Sequence, residues 1–563
     1  MAEKLINLFT SKEYRFLQWL AEQPCVELNG KQVVRMSQSQ LAEAYGASAT
    51  TVFHWIENLK DANCVAVNNK KSGYIVTPAG HKVIAKLKEL ERVIDNGGAT
   101  MMKDIAKANK TMMPNSREED VNQEALPISV NDPMKAAAVA KTYIDFFSGC
   151  GGLSLGLGFA DWKGIFAVEK DPMAYSTFDH NLVADDAPYR HFQVWPDWLT
   201  REAHTIEDVL GDSVVVKHFK ELEGHVTLVA GGPPCQGFSV AGARNGNDPR
   251  NLLVFKQIQA MNLLKPIYGI IENVGGFERK FVSRPIDDMT MSVAEEAVNE
   301  IEQLGYNVGK VTINAADYGV PQLRKRVILF AISKEFAGEL SAANLLRDVL
   351  KDVGMEQRIA LHLATDKYVD VGEAINDLAG ENQVEDPEFP QYKTCKYLPI
   401  QSAYQQLMRK NIPQQEIPSC HRFNNHSKKT IALYNKAHKT QPVGRLSKEF
   451  LFKNGCHSNK RFVFDTSKPC STLTTAPEEL IHYKHPRVVT LREMARLQSF
   501  PDDFVFHGRY TLNGPARGVD VPRNAQIGNA IPPLVGRALG AALEKITQMV
   551  LSNDSALDQY RKK

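Results

Sequence analysis

Between residues 141 and 335 the chain alternates short apolar runs with stretches that have the period of amphipathic helices. An alternation of strands and helices predicts an α/β fold with a doubly wound, mostly parallel sheet. In such sheets, functional groups collect at the carboxyl ends of the strands. The runs predicted as strands are residues 143–147, 165–168, 226–230, 268–271 and 327–332.

The first 94 residues have the pattern of a small helical module that ends in a wing. Its predicted elements are helix 12–23, a helix capped by Ser37 and ending near Ala44, a third helix with Val52, Ile56 and Leu59 on one face, strands 65–67 and 74–76, and a helix from Thr77. This order resembles the winged helix-turn-helix. The resemblance implies a DNA-contacting recognition helix whose outward face is formed by Thr50, Thr51, His54 and Asn58. The alternative is a protein-docking or dimerisation domain with the same fold.

The remaining boundaries follow changes in periodicity and composition. We predict a linker at 95–140, the first part of a catalytic domain at 141–335, a target-recognition region at 336–484, a closing part of the catalytic domain at 485–550 and a tail at 551–563. The sequence has no recognisable export signal and no apolar run long enough to cross a bilayer. The eight cysteines include no Cys-x-x-Cys pair, which favours reduced thiols and a cytoplasmic location.

Charge is distributed unevenly along the chain. Residues 391–461 contain fourteen Lys or Arg and two acidic residues, a net charge of +12, although the whole chain carries only +2. A basic segment in a nearly neutral protein is typical of a phosphate-binding surface.

Two motifs at predicted strand ends indicate a nucleotide-like cofactor. The first strand leads into Asp145-Phe-Phe-Ser-Gly-Cys-Gly-Gly152, and the second ends at Glu169. Glycines at a strand-to-helix turn let a ligand approach the backbone, and an acid after the second strand accepts hydrogen bonds from ribose. Glycine turns also occur without a ligand, so the pair indicates an adenosine-containing cofactor without identifying it.

A third motif, Gly231-Gly-Pro-Pro-Cys-Gln-Gly-Phe-Ser239, places Cys235 after two prolines at another strand end. A buried structural thiol is the commoner role for a cysteine. The rigid lead-in, the glycine-rich exit and Glu272-Asn273-Val274 at the next strand end favour a nucleophile beside a carboxyl group.

Together these motifs resemble the cytosine-5 DNA methyltransferase family, from residue 141 to about 545. The motifs that carry the resemblance, in family order, are 145–152, Glu169, Pro233-Pro-Cys-Gln236, Glu272-Asn-Val274, Gln322-Leu-Arg-Lys-Arg326, Arg492-Glu493 with Arg496-Leu-Gln-Ser-Phe-Pro501, and Gln526-Ile-Gly-Asn-Ala-Ile-Pro532. The resemblance implies the S-adenosylmethionine-dependent methyltransferase fold and S-adenosylmethionine as methyl donor.

The resemblance also implies residue roles. Cys235 attacks C6 of a flipped-out cytosine, Glu272 protonates N3, Arg326 binds O2, and Arg324 supports Arg326. The expected cofactor-binding residues are Phe147, Ser148, Gly149, Gly151, Gly152, Leu153, Glu169, Pro233, Leu253, Asn529 and Ala530. No residue is assigned to the adenine amine, because His204-Thr-Ile-Glu-Asp208 matches the family poorly.

Double-stranded DNA is the expected macromolecular substrate. The candidate contacts are Gln236, Ser239, Arg244 and Arg250 beside the nucleophile, Gln322 in the arginine motif, and Arg422, Asn424, Asn425 and Arg445 in the basic region. The cysteines and histidines of this region fit no compact zinc module, so no metal is expected.

Three functions stay open on the sequence. The first is a DNA methyltransferase that acts as a monomer on DNA, alone or with a restriction endonuclease of the same site. The second is an RNA cytosine-5 methyltransferase on the same fold, although the RNA-methylating branch lacks a large basic insertion. The third is a dual-role transcriptional autoregulator that uses its N-terminal module.

Overall fold

The computed structural model describes most of the chain from residue 140 onwards and parts of the first 84 residues. The described residues are 12–28, 31–34, 36–45, 52, 56, 59, 65–67, 74–77, 81, 84, 140–234, 252–278, 292–413, 416–456, 460–511 and 520–562. The chain divides into two compact units, residues 1–128 and 129–563, and this division falls inside the predicted linker. Residues 95–139 of that linker lie outside the described residues.

Within the described residues, the N-terminal unit contains the first two predicted helices and both predicted wing strands. Its elements are α1 (Lys12–Ala21), β1 (Cys25–Leu28), β2 (Lys31–Val34), α2 (Gln38–Tyr45), β3 (Val65–Val67) and β4 (Tyr74–Val76). The capping box at α2 is confirmed, because the Gln40 N–H donates to Ser37 Oγ at 3.3 Å and the Ser37 N–H donates to Gln40 Oε1 at 2.9 Å. The helical positions Val52, Ile56 and Leu59 are at most 1% exposed, as their spacing predicts.

One hairpin in this unit was not predicted. Strands β1 and β2 pair antiparallel and join the wing strands in a sheet of order β1–β2–β4–β3. Thr50, Thr51, His54 and Asn58 lie outside the described residues, so the proposed recognition face stays a prediction.

The second unit begins with the predicted succession of strands and helices. Its elements up to the arginine motif are β5 (Thr142–Phe146), α3 (Gly152–Gly158), β6 (Lys163–Val168), α4 (Pro172–Leu182), α5 (Ile206–Gly211), α6 (Ser213–Glu221), β7 (Leu228–Gly231), α7 (Leu253–Leu264), β8 (Tyr268–Asn273), α8 (Val293–Gln303), β9 (Tyr306–Asn314), β10 (Gln322–Leu323) and β11 (Lys325–Ser333). Strands β5, β6, β7, β8 and β11 confirm the five predicted runs, with shifted ends.

Within the described residues, the main sheet has the order β6–β5–β7–β8–β11–β9. The pairs among β6, β5, β7 and β8 are parallel, and β11 pairs antiparallel with β8 and β9. Neighbouring side chains of one strand point to opposite faces of the sheet and pack in different hydrophobic cores. On β5, Tyr143 belongs to one core and Ile144 to the other, and on β11 the same holds for Phe330 and Leu329. Both faces are therefore covered, as a doubly wound sheet requires.

The rest of the unit contains the region that the sequence assigns to target recognition. Its elements are α9 (Lys334–Ala337), α10 (Ala342–Ala360), α11 (Val371–Ile375), β12 (Gln383–Glu385), β13 (Lys393–Cys395), α12 (Ala403–Met408), α13 (Lys428–Thr440), β14 (Gly444–Arg445), α14 (Lys448–Lys453), β15 (Phe462–Val463), β16 (Cys470–Ser471), β17 (Leu480–Ile481), α15 (Leu491–Leu497), α16 (Arg523–Asn529) and α17 (Pro533–Leu551). Short 3₁₀ turns occur at Gly275–Glu278, Ala315–Tyr318, Asn376–Leu378, Pro477–Glu479 and Ser555–Tyr560.

Not all of residues 336–484 form a separate body. Helix α10 buries Leu345, Leu346 and Val353 in the core shared with the sheet. A smaller, separate core lies between residues 433 and 488 and joins α13 and α14 to strands β14, β15 and β17. We call residues 428–488 the recognition subdomain. Among the helices described, none is long and apolar enough to span a membrane.

Candidate active site

A cleft of about 920 Å³ opens where the parallel strands end. Strands β5 to β8 reach it from the sheet, and the turn after α16 closes it from the other side. The predicted site residues that line it are Phe147, Ser148, Gly149, Leu153, Glu169, Pro233, Leu253, Glu272, Arg324, Arg326, Asn529 and Ala530. Residues distant in sequence thus meet at one edge of the sheet, as the strand pattern predicts.

Glu169 is fixed by backbone donors at the end of β6. Its Oε2 accepts from the Gly149 N–H at 3.0 Å, and its Oε1 accepts from the Asp171 N–H at 2.8 Å. Burial raises the pKa of Glu169, and the two backbone hydrogen bonds oppose that rise. Each oxygen retains acceptor capacity for a hydroxyl. A ribose diol fits this arrangement.

The turn after β5 brings the backbone and a polar atom to the same cleft. Phe147 has φ +58° and Gly149 has φ +57°. A positive φ is uncommon for a residue other than glycine and persists where its surroundings fix it. Ser148 Oγ is buried and has no hydrogen-bond partner among the described residues. A ligand with polar groups would satisfy this hydroxyl, so the residues present fit the implied cofactor.

A buried carboxyl and a buried thiol belong to the same turn. The pKa of Asp145 is raised to about 7 by three effects together. Burial raises it most, the hydrogen bond that Ser154 Oγ donates at 2.6 Å lowers it, and the nearby Glu169 raises it. Burial also raises the pKa of Cys150 to about 12. The Cys150 thiol lies 3.6 Å from the carbonyl oxygen of Gln526, to which it donates. Cys150 is therefore a packed thiol and a poor nucleophile.

Glu272 and Arg326 form an ion pair on the other side of the cleft. Arg326 Nε lies 2.8 Å from Glu272 Oε1, and the side chains are 15% and 13% exposed. Register explains the contact, because Glu272 on β8 pairs with Ile328 on β11, two residues from Arg326. A Cβ atom on Gly232 would lie 3.4 Å from Glu272 Oε2, so the second carboxylate oxygen faces the segment that leads to Cys235.

Cys235 and its exit loop lie outside the described residues, as do Gln236, Ser239, Arg244 and Arg250. Pro233 and Pro234 line the cleft immediately before Cys235. The described chain therefore follows the cleft wall as far as Pro234.

Arg324, which the resemblance assigns to the support of Arg326, is anchored in the wall of the cleft. It is 2% exposed, and its guanidinium donates to the carbonyl oxygens of Gly528 and Ala530 at 3.2 Å and of Leu473 at 3.5 Å. These bonds hold the turn that carries Asn529. Arg324 is a positioning residue, because its guanidinium hydrogens point at protein carbonyls.

One predicted DNA contact lies inside the protein. Gln322 is fully buried, donates to Leu497 O and Gln498 Oε1, and accepts from the Leu473 N–H, so it does not reach DNA. Arg422 is half-buried. Its guanidinium carbon lies 3.7–4.5 Å from the ring centres of three aromatic residues, Phe389, Tyr392 and Tyr510. These cation–π contacts hold the guanidinium in place, and a DNA contact by Arg422 stays a prediction.

Two predicted cofactor glycines instead serve packing. A Cβ on Gly151 would lie 2.5 Å from Leu182 Cδ1, and one on Gly152 would lie 2.2 Å from the carbonyl oxygen of Ile531. Neither residue is among those that line the cleft. These glycines let α3 approach its neighbours closely.

The remaining recognition candidates are accessible. Asn424, Asn425 and Arg445 are exposed. Of the histidine and cysteine candidates in this region, His421 and Cys395 are buried and hydrogen-bonded to one another, with both also contacting the carbonyl oxygen of Leu378. Burial lowers the pKa of His421 to about 4. This pair is part of the core.

Several cleft residues were missed by the motif analysis. His204, Thr205, Ile206 and Glu207 line the cleft, and the His204 N–H donates to the carbonyl oxygen of Glu169 at 2.9 Å. Their proximity to Glu169 in the fold, rather than any sequence motif, identifies them. Leu473, Thr474, Thr475, Asp520 and Val521 also line the cleft.

Comparison with known proteins agrees with this geometry. The family model described as C-5 cytosine-specific DNA methylase matches residues 141–545. Type II methyltransferase M.DdeI of Desulfomicrobium norvegicum is 30% identical over 427 residues, which cover 73% of this chain and 91% of the relative. Type II methyltransferase M1.HphI of Haemophilus parahaemolyticus is 28% identical over 422 residues, covering 72% and 87%.

A solved structure shares the fold. It is described as a DNA modification methyltransferase encoded within an E. coli prophage, with TM-score 0.50 and 24% identity over 72% of this chain and 99% of that chain. The family model covers the sheet, the cleft and the recognition subdomain, and the family uses S-adenosylmethionine as methyl donor. The chain belongs to the C-5 cytosine-specific DNA methylase family.

Proposed function

We propose that this enzyme methylates C5 of a cytosine flipped out of duplex DNA, with Cys235 as nucleophile and with Glu272 and Arg326 acting on the base. The observation that carries this proposal is the Glu272–Arg326 pair at 2.8 Å, in the same cleft as Glu169 and next to the Pro233–Pro234 lead-in. Under this proposal, the cofactor binds on the Glu169 side of the cleft and the cytosine binds beside Glu272 and Arg326.

The proposed chemistry begins at C6. The Cys235 thiolate forms a bond to C6 while Glu272 delivers a proton to N3, so the ring becomes an enamine and C5 becomes nucleophilic. Arg326 donates to O2 and holds the pyrimidine against these groups. Bound S-adenosylmethionine would supply an electrophilic methyl group to C5 and leave as S-adenosylhomocysteine. The C5 proton would then pass to water, N3 would return its proton to Glu272, and the Cys235–C6 bond would break with its electron pair on sulfur, which releases 5-methylcytosine and regenerates the thiolate.

The other half of the cleft orients the donor. We assign the ribose hydroxyls to Glu169, polar groups of the donor to Ser148 Oγ, and its apolar surface to Phe147, Leu153 and Leu253. Gly149, Pro233, Asn529 and Ala530 complete the wall. The adenine amine needs an acceptor, and Glu207 is the acidic side chain among the four residues at 204–207 that line the cleft.

The target atom lies inside the DNA stack, so the cytosine must leave it at a cost of a few kcal/mol. We propose that Gln236, Ser239, Arg244 and Arg250 contact the DNA from the loop after the nucleophile. Asn424, Asn425 and Arg445 are the proposed recognition contacts. The N-terminal unit, read as a winged helix-turn-helix, is proposed to add DNA contacts through Thr50, Thr51, His54 and Asn58.

The two Type II relatives favour a restriction-modification role over the RNA and regulatory alternatives. Under this proposal, a cognate endonuclease cuts the same unmethylated sequence, and the methyltransferase acts as a monomer on each site. The family model and the basic recognition subdomain both favour DNA over tRNA.

The test is methyl transfer from labelled S-adenosylmethionine to unmethylated plasmid DNA or to tRNA. We expect label in DNA with the wild type and a loss of about 10²–10⁴-fold in kcat with Glu272→Gln. Cys235→Ser should abolish turnover and retain binding of the cofactor. Label in tRNA alone, or wild-type turnover by Cys235→Ser, would refute the proposal.

A further inference from the structure

The recognition subdomain exposes one aromatic side chain that its fold does not require. In α14, Phe450 and Leu451 are 8% and 1% exposed and fill the subdomain core, whereas Phe452 is 79% exposed. The carbonyl of Phe452 accepts from the Gly455 N–H at 3.0 Å, so the backbone around this side chain is held in a turn. A single exposed apolar side chain is common on protein surfaces, so its meaning depends on the groups around it.

Lysines from two helices surround the same turn. Lys436 Nζ donates to Asn454 Oδ1 at 3.0 Å, and a Cβ on Gly455 would lie 3.1 Å from Lys429 Nζ. Lys429 and Lys436 are seven residues apart on α13 and share a helix face. Lys453 follows Phe452 directly and is paired with Glu449 at 2.6 Å. We call Lys429, Lys436, Phe452 and Lys453 the aromatic–lysine patch.

The subdomain that carries this patch is tied to the wall of the catalytic cleft. Arg461 Nη1 donates to the Tyr434 hydroxyl at 2.7 Å and to the Glu478 carbonyl at 2.9 Å. Glu478 follows the cleft-lining Thr475 by three residues, which span at most about 11 Å. A duplex whose cytosine enters the cleft therefore passes close to this subdomain.

We propose that the aromatic–lysine patch is a DNA contact in which Phe452 stacks against bases beside the target while Lys429 and Lys436 bind the flanking phosphates. This inference rests on the proposed function. It adds a contact to the DNA bases that none of the sequence motifs described above contains. The argument is charge complementarity: a basic segment of net charge +12 matches a polyanion, and an exposed aromatic ring offers a stacking surface to any base.

The first test replaces Phe452 in the full chain. Because the side chain is exposed, Phe452→Ala should leave the melting temperature unchanged. Stacking on a base predicts roughly a tenfold or greater rise in Kd and KM for unmethylated plasmid DNA, with kcat retained. Phe452→Trp should restore wild-type values, and Ile359→Ala, an exposed apolar residue on α10, is the matched control.

The second test measures how DNA binding depends on salt. The Lys429→Ala, Lys436→Ala double variant should reduce the slope of log K against log salt by about two, whereas Phe452→Ala leaves the slope unchanged. Lys217→Ala on α6 is the matched control for a surface lysine.

Binding is measured without methyl donor, so failure of catalysis and failure of the patch are distinguishable. Wild-type Kd and KM in Phe452→Ala would overturn the stacking contact even if the enzyme methylates DNA. An unchanged slope in the double lysine variant would overturn the phosphate contacts. Absence of methyl transfer by the wild type would instead refute the proposed function.

Discussion

Two buried carboxyl groups shape the cofactor side of the cleft. Glu169 has its oxygens anchored by the N–H groups of Gly149 and Asp171, and Asp145 accepts from Ser154. Burial raises the pKa of both carboxyls. The charge of Glu169 raises the pKa of Asp145 further, and the charge of Asp171 raises the pKa of Glu169 further. The turn that approaches the cofactor therefore depends on protonation.

The first prediction concerns Asp145. Its folded pKa of about 7 lies above its usual 3.8, so the stability it contributes is present below pH 3.8 and is lost as pH rises to about 7. The loss is about 1.4 kcal/mol of unfolding free energy per pH unit within that window. Asp145→Asn keeps an acceptor for Ser154 without ionising, so its stability should fall less between pH 5 and 7. Chemical unfolding at several pH values measures this difference, and parallel curves for the two proteins would contradict it.

At the level of elements, the site depends on how distant segments are joined. Arg324, between β10 and β11, binds the carbonyl oxygens of Gly528 and Ala530 at the end of α16 and joins them to the carbonyl oxygen of Leu473. Gln322 on β10 bonds to the segments at Leu473 and Leu497. The arginine motif thus serves two purposes: Arg326 reaches the base side of the cleft, and its neighbours assemble the cleft wall.

The second prediction replaces Arg324. Arg324→Met removes the donors of three buried carbonyl groups, each of which costs roughly 1–3 kcal/mol when unpaired. We expect a fall of several kcal/mol in unfolding free energy and a loss of cofactor affinity. Lys325→Met, at the adjacent exposed position, is the control and should behave like the wild type. Equal stability of the two variants would show that the hydrogen bonds of Arg324 to these carbonyl groups do not stabilise the fold.

Strand β9 and the β1–β2 hairpin were not predicted from the sequence. Strand β9 alternates exposed Lys310 and Thr312 with buried Val311 and Ile313, so it lacks the continuous apolar run of the central strands. The β1–β2 hairpin had a signal, the Asn29-Gly30 dipeptide between its strands, that was not used.

The burial of Gln322 and the aromatic surroundings of Arg422 depend on residues far apart in the chain. Arg422 meets Tyr510, 88 positions later, and Gln322 meets Leu497. Periodicity and local motifs do not report such contacts. Glu272 was predictable at this edge because the carboxyl ends of parallel strands meet there. Arg326 reaches the same edge because it lies near the start of β11, which runs antiparallel to β8.

At the scale of the whole molecule, the chain forms two compact units, and its charge is distributed unevenly along the sequence. The basic segment at 391–461 overlaps the recognition subdomain, and the remaining chain is net acidic. This distribution favours DNA binding by one region of the second unit. A contribution of the N-terminal unit to DNA binding is tested by truncation.

The third prediction removes residues 1–95. Because the N-terminal unit is proposed to add DNA contacts, the truncated protein should bind and methylate plasmid DNA less well than the full chain while the catalytic unit stays folded. Methylation kinetics and mobility-shift assays on plasmid DNA and on the protein's own promoter measure these activities. Wild-type methylation with lost binding to the promoter would contradict this expectation and make the unit an autoregulatory module.

The central claim is that Cys235 drives methylation at carbon 5 of cytosine. The most direct measurement is mass spectrometry of nucleosides from plasmid DNA treated with the enzyme and S-adenosylmethionine. We predict 5-methyldeoxycytidine with the wild type and none with Cys235→Ser. Methylation only at an exocyclic nitrogen, or equal 5-methyldeoxycytidine from the two proteins, would contradict the account.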